Sequence, residues 1–159
     1  MFRILIVDDD ETIRSVMAMV LRRAGYQVDT AKDGEEAIRK SNIEFYNLAL
    51  IDIRLPDMEG TKLLSLMRET TPKMMKVIVT GFPVLDNALE AISRGVDGYL
   101  TKPVSPEKLL AIVAELLRKQ QYESQFTQEN LRAYVASRLK EARANRRELA
   151  GTETPTARA

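Results

Sequence analysis

The sequence predicts an α/β fold, in which helices flank a parallel β-sheet. Five short apolar runs of strand type alternate with segments whose apolar residues recur at helical spacing. Polar or aromatic residues close or directly follow these runs at Asp8-Asp9, Asp52, Thr80, Tyr99 and Lys102-Pro103. Alternating strands and helices form parallel sheets with right-handed crossovers, and ligands bind at the carboxyl ends of such strands. We therefore expect these residues to share one pocket.

The first half of the chain supplies three predicted strands. They cover Arg3 to Val7, Tyr26 to Thr30 and Leu48 to Ile53. A helix over about Glu11 to Ala24 joins the first two, since its apolar residues share one face and Gly25 follows as a stop signal. A second helix begins at Asp33-Gly34. This half therefore has the order strand, helix, strand, helix, strand.

The second half continues the alternation. Leu55-Pro56-Asp57 is typical of a turn, and a helix is predicted near Gly60 to Glu69. Predicted strands follow at Lys76 to Thr80 and Gly98 to Thr101, with a helix over Leu85 to Arg94 between them. Ser105-Pro106-Glu107 combines an N-cap, a first-turn proline and a first-turn acid. A fifth helix is therefore expected to begin there.

Composition limits the chemistry that this chain can perform. It has 159 residues, of which 45% are hydrophobic and 30% charged, and it contains no cysteine and no histidine. Any reaction must therefore use carboxylates, hydroxyls and lysine, for which the natural metal is a hard, oxygen-preferring ion. No apolar stretch approaches the roughly 18 residues of a membrane span, and Met1-Phe2-Arg3 leads directly into a strand. We expect no membrane segment and a cytoplasmic location.

The character of the chain changes near Lys119. Residues 1–117 contain 15 Lys+Arg and 18 Asp+Glu, a net charge of −3, whereas residues 118–159 contain 9 and 5, a net charge of +4. We predict a main domain over 1–120, a helical extension over 121–150 and a disordered tail over 151–159. Within the extension, a separate helix is expected from an N-cap near Thr127 to Leu149, with apolar residues Leu131, Tyr134, Val135, Leu139 and Ala142 on one face. This face should pack on the main domain or on a second copy of the chain, of which the second is favoured, and a frayed extension is the alternative.

The acidic residues at the predicted strand ends suit a magnesium site. Mg²⁺ takes an octahedral shell of oxygens and keeps several waters, so a few acids from separate loops are sufficient. Asp9 and Asp52 could ligate directly, Asp8 could hold a coordinated water, and a backbone carbonyl near Arg54 could add another oxygen. Without a cation, three clustered carboxylates would repel one another. A solvated acidic turn is the alternative interpretation of Asp8, Asp9 and Asp10, and Asp52 after a buried strand argues against it.

Two further strand-end residues suit an incoming phosphoryl group. Thr80 offers a hydroxyl and Lys102 a cation for its equatorial oxygens, and a metal would bind a third. Pro103 would fix the geometry of the lysine loop, whichever isomer its peptide bond adopts.

These motifs together resemble the receiver domain of two-component response regulators. The resemblance rests on residues 4–10 (ILIVDDD), 50–60 (LIDIRLPDMEG), 79–81 (VTG) and 98–103 (GYLTKP), which occur in the right order and spacing within about residues 2–120. It implies a flavodoxin-like fold with strand order 2-1-3-4-5, five flanking helices and, in this chain, a C-terminal helical extension. It also implies a signalling phosphoacceptor rather than an enzyme.

The resemblance assigns a role to each matched residue. Asp52 would accept a phosphoryl group from a histidine kinase or phosphotransfer protein, Asp8 and Asp9 would hold Mg²⁺, and Lys102 would pair with the aspartyl phosphate. Thr80 would move toward that phosphate, and Tyr99 would follow as a switch that alters a surface for an output partner. Since the chain lacks histidine, the donor must be a separate protein.

Three functions are compatible with these features. The first is a receiver-only signalling protein that docks a protein partner or forms a homodimer when phosphorylated. The second is the N-terminal fragment of a longer DNA-binding regulator. About 40 residues after the predicted domain are too few for a usual winged-helix output, so nucleic-acid binding by this chain alone is not expected. The third is a magnesium-dependent phosphohydrolase, which needs an acid/base aspartate where Arg54 stands. The first function is favoured.

Overall fold

The computed structural model describes residues 1–81 and 95–151. Within these ranges, parallel strands form one five-stranded sheet in the order β2-β1-β3-β4-β5. The strands are β1 (Arg3–Val7), β2 (Gln27–Ala31), β3 (Leu48–Asp52), β4 (Met75–Thr80) and β5 (Gly98–Thr101). The predicted α/β fold and its strand order are thus confirmed. The boundaries differ by a residue or so; for example, β3 ends at Asp52 rather than Ile53.

The helices in the described residues are α1 (Glu11–Arg23), α2 (Gly34–Ile43), α3 (Gly60–Leu66) and α4 (Pro106–Gly151). Helix α3 is shorter than predicted, because Met67 already has an extended backbone with φ −73° and ψ 138°. The predicted helix over Leu85–Arg94 lies outside the described residues. None of the helices in the described ranges has the length and apolar content that a membrane span requires.

The core consists of two apolar layers, one on each face of the sheet. Alternate strand residues point to opposite faces, so Ile4 and Ile6 enter one layer while Leu5 and Val7 enter the other. The first layer includes residues of α1 and the first part of α4, and the second includes residues of α2 and α3. Both faces of the central strands are therefore buried, as expected of a parallel sheet.

Gln120 is a buried polar residue at the end of the first part of α4. Its side-chain Nε2 donates to the backbone oxygens of Asn47 at 2.9 Å and Lys73 at 2.6 Å, and its Oε1 accepts from Asn47 Nδ2 at 3.0 Å. Only 3% of Gln120 is exposed. These bonds join the helix to the loops that precede β3 and β4.

Replacing Gln120 with leucine should lower the free energy of unfolding by about 2 to 4 kcal/mol, because it removes three partly buried hydrogen bonds, two with Asn47 and one with Lys73. Urea denaturation followed by circular dichroism measures the change. The neighbouring Gln121 is exposed, so Gln121→Leu is a matched control that should be nearly neutral. Equal stabilities of the two variants would contradict this role of Gln120.

The chain divides into two compact units, Met1–Gln121 and Tyr122–Ala159. Residues 127–149 are helical, as predicted, but the expected N-cap and separate helix start at Thr127 are wrong, because α4 is helical without interruption from Pro106 to Gly151. Thr127 lies within it and donates its side-chain hydroxyl to the carbonyl oxygen of Glu123 at 2.8 Å. A hydroxyl bonded one turn back is compatible with a continuous helix, so no cap is needed. The disordered tail predicted over 151–159 begins with Gly151, the last helical residue, and otherwise lies outside the described residues.

Candidate functional site

Three carboxylates meet at the carboxyl edge of the sheet. Asp8 directly follows β1, Asp9 comes next, and Asp52 is the last residue of β3. The two strands are neighbours, with Val7 paired to Ile51, so their ends coincide. One oxygen from each carboxylate lies within 4.8 Å of the others. Asp8 and Asp52 are buried and Asp9 is exposed, which leaves the cluster open to solvent on one side.

Lys102 brings a positive charge into this cluster. Its Nζ lies 2.7 Å from Asp8 Oδ2 and 3.0 Å from Asp52 Oδ2. The residue follows the last strand, β5, and its backbone N–H donates to the carbonyl oxygen of Thr80 at 2.7 Å. The peptide bond between Lys102 and Pro103 is cis. The lysine therefore spans from the edge strand to the two buried carboxylates.

Burial and charge set the ionisation of the site. Burial raises the pKa of Asp52 above its ordinary value, and the nearby Asp8 adds to this, while Lys102 and the backbone N–H of Arg54 oppose it. Burial alone would lower the pKa of Lys102, but its contacts with Asp8 and Asp52 outweigh burial and raise that pKa. Lys102 therefore stays protonated at neutral pH, where it neutralises one of the negative charges.

The residues present fit a hard divalent cation. Asp8 Oδ2 is buried, and among the described residues no donor approaches it in hydrogen-bond geometry, although the Lys102 ammonium lies within ion-pair distance. Three carboxylates and one ammonium leave two negative charges to be balanced. Oxygen ligands of this kind are those that Mg²⁺ prefers.

Two contacts hold Asp8 in place, one through its side chain and one through its backbone. Asp8 Oδ1 accepts from the N–H of Asp10 at 2.9 Å, and Arg14 Nη1 donates to the Asp8 carbonyl oxygen at 2.7 Å. The role of Arg14 was missed from the sequence, since a side chain on α1 that turns back to the preceding loop leaves no periodic signal. Asp10 caps α1 by accepting from the N–H of Ile13 at 3.0 Å.

The loop after Asp52 is held close to the end of β3. Arg54 donates its backbone N–H to Asp52 Oδ1 at 3.3 Å, and its own side chain is exposed. Gly60 donates its N–H to the carbonyl oxygen of Ile53 at 2.6 Å. A Cβ at position 60 would lie 2.2 Å from the carbonyl oxygen of Asp52. Only glycine fits at position 60, which sequence reasoning had treated simply as a helix start.

Asp57 connects the same loop to α2. Its two carboxylate oxygens accept from the backbone N–H groups of Gly34 at 2.9 Å and Glu35 at 2.8 Å. Although its slight burial acts in the opposite direction, these and its other backbone hydrogen bonds lower the pKa of Asp57. The carboxylate thus serves N–H groups at the start of α2 that have no partner within the helix.

The remaining predicted residues lie on β4, which neighbours β3, and on β5, the next strand of the sheet. Thr80 is buried at the end of β4, one residue after Val79, which pairs with Asp52. Tyr99 in β5 packs against the apolar layer that contains Ile78, and its hydroxyl is buried without a hydrogen-bond partner among the described residues. Burial raises the pKa of the Tyr99 hydroxyl. The structure therefore brings Asp8, Asp9, Asp52 and Lys102 together and places Thr80 and Tyr99 on the adjacent strands.

A largely apolar groove of about 460 Å³ lies beside the lysine. Thr12, Ile13, Val16, Met17, Lys102, Pro103 and Val104 line it. It thus joins one face of α1 to the loop after β5, and Lys102 belongs both to this groove and to the carboxylate cluster. A protein bound in the groove would lie next to Asp52.

Comparison with known proteins agrees with the fold. The family model described as "Response regulator receiver domain" matches residues 4–114, and the chain belongs to this family. The alkaline phosphatase synthesis transcriptional regulatory protein PhoP of Bacillus subtilis is 34% identical over 117 residues, which are 74% of this chain and 49% of that protein. The transcriptional regulatory protein ResD of the same species is 35% identical over 126 residues, covering 78% of this chain and 51% of that protein.

Comparison with solved structures also supports the fold. A CheY-like receiver domain protein from Methanospirillum hungatei is 43% identical, with a TM-score of 0.74 over 77% of this chain and 98% of that one. NtrX from Brucella abortus is 27% identical, with a TM-score of 0.74 over 80% of this chain and 30% of that one. The chain spans about half the length of the curated relatives PhoP and ResD.

Proposed function

We propose that this chain is a phosphoacceptor of two-component signalling, in which Asp52 takes a phosphoryl group from a histidine kinase or phosphotransfer protein. One observation carries the proposal: three carboxylates from two neighbouring strand ends have oxygens within 4.8 Å of one another, and the Lys102 ammonium contacts two of them. Family membership supports the same interpretation. A cytoplasmic location remains a prediction.

Each residue has a defined task in the transfer. An oxygen of Asp52 attacks the phosphorus of a phosphohistidine on the donor, and the phosphorus–nitrogen bond breaks with its electron pair returning to the imidazole. The product is an acyl phosphate on Asp52. Asp8, Asp9 and Asp52, with the backbone carbonyl of Arg54, would hold Mg²⁺, which when bound would balance charge on the phosphoryl oxygens. Lys102 then exchanges its contact with Asp52 for one with the phosphate. In this way the chain would assist its own phosphorylation, and the same residues would assist dephosphorylation.

The groove beside Lys102 is suited to the donor. A phosphohistidine must come within contact distance of Asp52, so the donor has to rest on the surface next to the carboxylate cluster. The groove offers an apolar surface there, and Val16, one of its lining residues, is 48% exposed. An apolar surface patch at this position supports protein docking.

Magnesium affinity tests the metal part of the proposal. We expect the amide resonances of Asp8, Asp9 and Asp52 to shift in a saturable way when Mg²⁺ is added, as measured by NMR. Asp9→Asn removes one charge from an exposed ligand and should weaken binding about tenfold without unfolding the domain. Asp33→Asn is the control, since Asp33 caps α2 and lies outside the carboxylate cluster. If Mg²⁺ shifted the resonances of the Asp9 variant at the same concentrations as in the parent, Asp9 would not be a magnesium ligand.

Transmission of the signal should depend on Thr80 and Tyr99. Thr80→Ala and Tyr99→Ala should still accept phosphate, because neither belongs to the carboxylate cluster. They should couple phosphorylation poorly to partner binding, because the buried Thr80 hydroxyl is the group that a phosphate on Asp52 would recruit, and Tyr99 would follow Thr80 as the switch. Chemical-shift changes in β5 on phosphorylation measure this coupling. A Tyr99 variant that responds like the parent would disprove its switch role.

A DNA-binding output is the second candidate, because PhoP and ResD are named as transcriptional regulatory proteins. Electrophoretic mobility of DNA at low and moderate salt distinguishes it from a protein output partner, since phosphate contacts weaken steeply with salt.

A further inference from the structure

The second unit presents an apolar stripe to solvent along α4. Its large side chains have high exposed fractions: 60% for Leu131, 58% for Tyr134, 47% for Val135 and 54% for Leu139. They recur at spacings of three and four residues, so they share one side of the helix. An apolar stripe of this kind is the usual surface for helix association.

The stripe fits a heptad repeat abcdefg with Val135 at position a. Positions a and d then hold Gln128, Leu131, Val135, Arg138, Ala142, Asn145 and Leu149. The flanking e positions hold Arg132, Leu139 and Arg146, and the g positions hold Tyr134, Glu141 and Glu148. Both acids on the flanks are therefore at g, and both arginines are at e. The two flanks of the stripe carry opposite charge.

This charge pattern selects the partner and its direction. In a parallel pair of identical helices, the two-fold axis runs along the helices and brings g of one copy against e of the other. Glu141 then faces Arg146 of the second copy, and Tyr134 faces Leu139 of the second copy. In an antiparallel pair, like flanks would meet, acid against acid and arginine against arginine. We infer that the unit beginning at Tyr122 is a parallel homodimerisation helix with Val135, Ala142 and Leu149 at its axis.

Polar residues at some of the a and d positions make this a specific but weak association. Arg138 occupies a d position, where its guanidinium is bonded to Tyr134 Oη at 3.3 Å and to Glu141 Oε2 at 3.2 Å. Exposed pairs of this kind contribute little, so Glu141 can exchange Arg138 for Arg146 of the second copy at small cost. Polar residues at core positions fix register at the expense of stability. Arg138→Leu should therefore tighten the dimer.

Charge exchange tests the register. In sedimentation equilibrium of the 159-residue chain, Glu141→Lys or Arg146→Glu alone should raise the dimer dissociation constant about tenfold, because two pairs become repulsive. A mixture of the two single variants should form a heterodimer of parental affinity. In that heterodimer the introduced lysine of one chain faces the introduced glutamate of the other, and the remaining Glu141 faces the remaining Arg146, so both contacts are attractive.

Two further substitutions serve as controls for the charge exchange. Glu129→Lys and Arg147→Glu change the same charges at outer positions b and f, and they should have little effect on the dissociation constant. Failure of the mixture to recover affinity would overturn the inference.

Disulfide formation tests whether the two helices run parallel. Because the chain contains no cysteine, an introduced cysteine is its only thiol. Val135→Cys and Ala142→Cys should each cross-link to the same position of the second copy, because identical a positions adjoin in a parallel pair and lie within disulfide reach. Ala133→Cys, at an outer f position, should not. A cross-link at only one of the two a positions indicates an antiparallel pair. A chain that stays monomeric at all concentrations indicates that something other than a second copy covers the apolar stripe. Either result refutes the proposal. The Asp52→Asn variant should dimerise like the parent, so this test is independent of the proposed phosphorylation.

Discussion

Asp52→Asn should abolish phosphorylation of this chain by a small-molecule phosphodonor. Asparagine keeps the shape of the side chain but lacks the anionic oxygen that attacks phosphorus, so the loss should be complete rather than partial. Intact mass spectrometry after incubation with the donor and Mg²⁺ measures the effect. The substitution should not destabilise the fold, because a buried carboxylate whose pKa is raised by burial carries a desolvation cost that the amide avoids.

Asp10→Asn is the matched control for this prediction. It also replaces an acid of the Asp8-Asp9-Asp10 run, but Asp10 caps α1 and lies outside the carboxylate cluster. Asparagine caps helices about as well as aspartate, so this variant should retain most of the phosphoryl mass. Undiminished labelling of the Asp52 variant would show that the acceptor is another residue.

Gly60→Ala should strongly destabilise the first compact unit, Met1–Gln121, and impair phosphorylation. The added methyl group would lie 2.2 Å from the carbonyl oxygen of Asp52 and 2.9 Å from its carbonyl carbon, and these are backbone atoms that cannot rotate away. The loop must shift, which should lower the free energy of unfolding by about 2 to 4 kcal/mol. Thermal and urea unfolding measure this loss.

Gly81→Ala provides the comparison for Gly60. Among the described residues, a Cβ at position 81 would contact only the Lys102 side chain, at 3.9 Å, an ordinary van der Waals distance. Its stability should therefore stay close to that of the parent. If both alanine variants unfolded at the same denaturant concentration, the close approach of Gly60 to Asp52 would not limit which residue position 60 tolerates.

The sequence was informative where a pattern reports directly on the fold. Apolar runs ending in Asp8 and Asp52 place both carboxylates at strand ends, and the register of β1 with β3 then brings them together. The position of Lys102 after β5 follows from the same rule. Asp10 and Asp33 act as N-caps because a short acidic side chain before a helix accepts from its first free N–H groups.

Other features depend on three-dimensional contacts that no local pattern encodes. The bond from Arg14 to the Asp8 carbonyl, and the caps that Asp57 provides for α2, join residues whose separation in sequence has no periodic meaning. The helix start expected at Thr127 was wrong because Phe126, Thr127 and Leu131 resemble a staple around a cap, whereas the preceding residues are themselves good helix formers. Propensity over the whole segment prevailed over the local cap signal.

The most direct measurement for the proposed function is the intact mass of the parent chain after incubation with a phosphodonor, once with Mg²⁺ and once with an excess of chelator. We expect the mass of one phosphoryl group to be added only with Mg²⁺, because the carboxylate cluster would otherwise repel an anionic donor. Hydroxylamine should remove that mass, since it attacks acyl phosphates. Equal labelling in the presence of chelator, or a phosphoryl group that resists hydroxylamine, would contradict phosphorylation of Asp52 at a metal-dependent site.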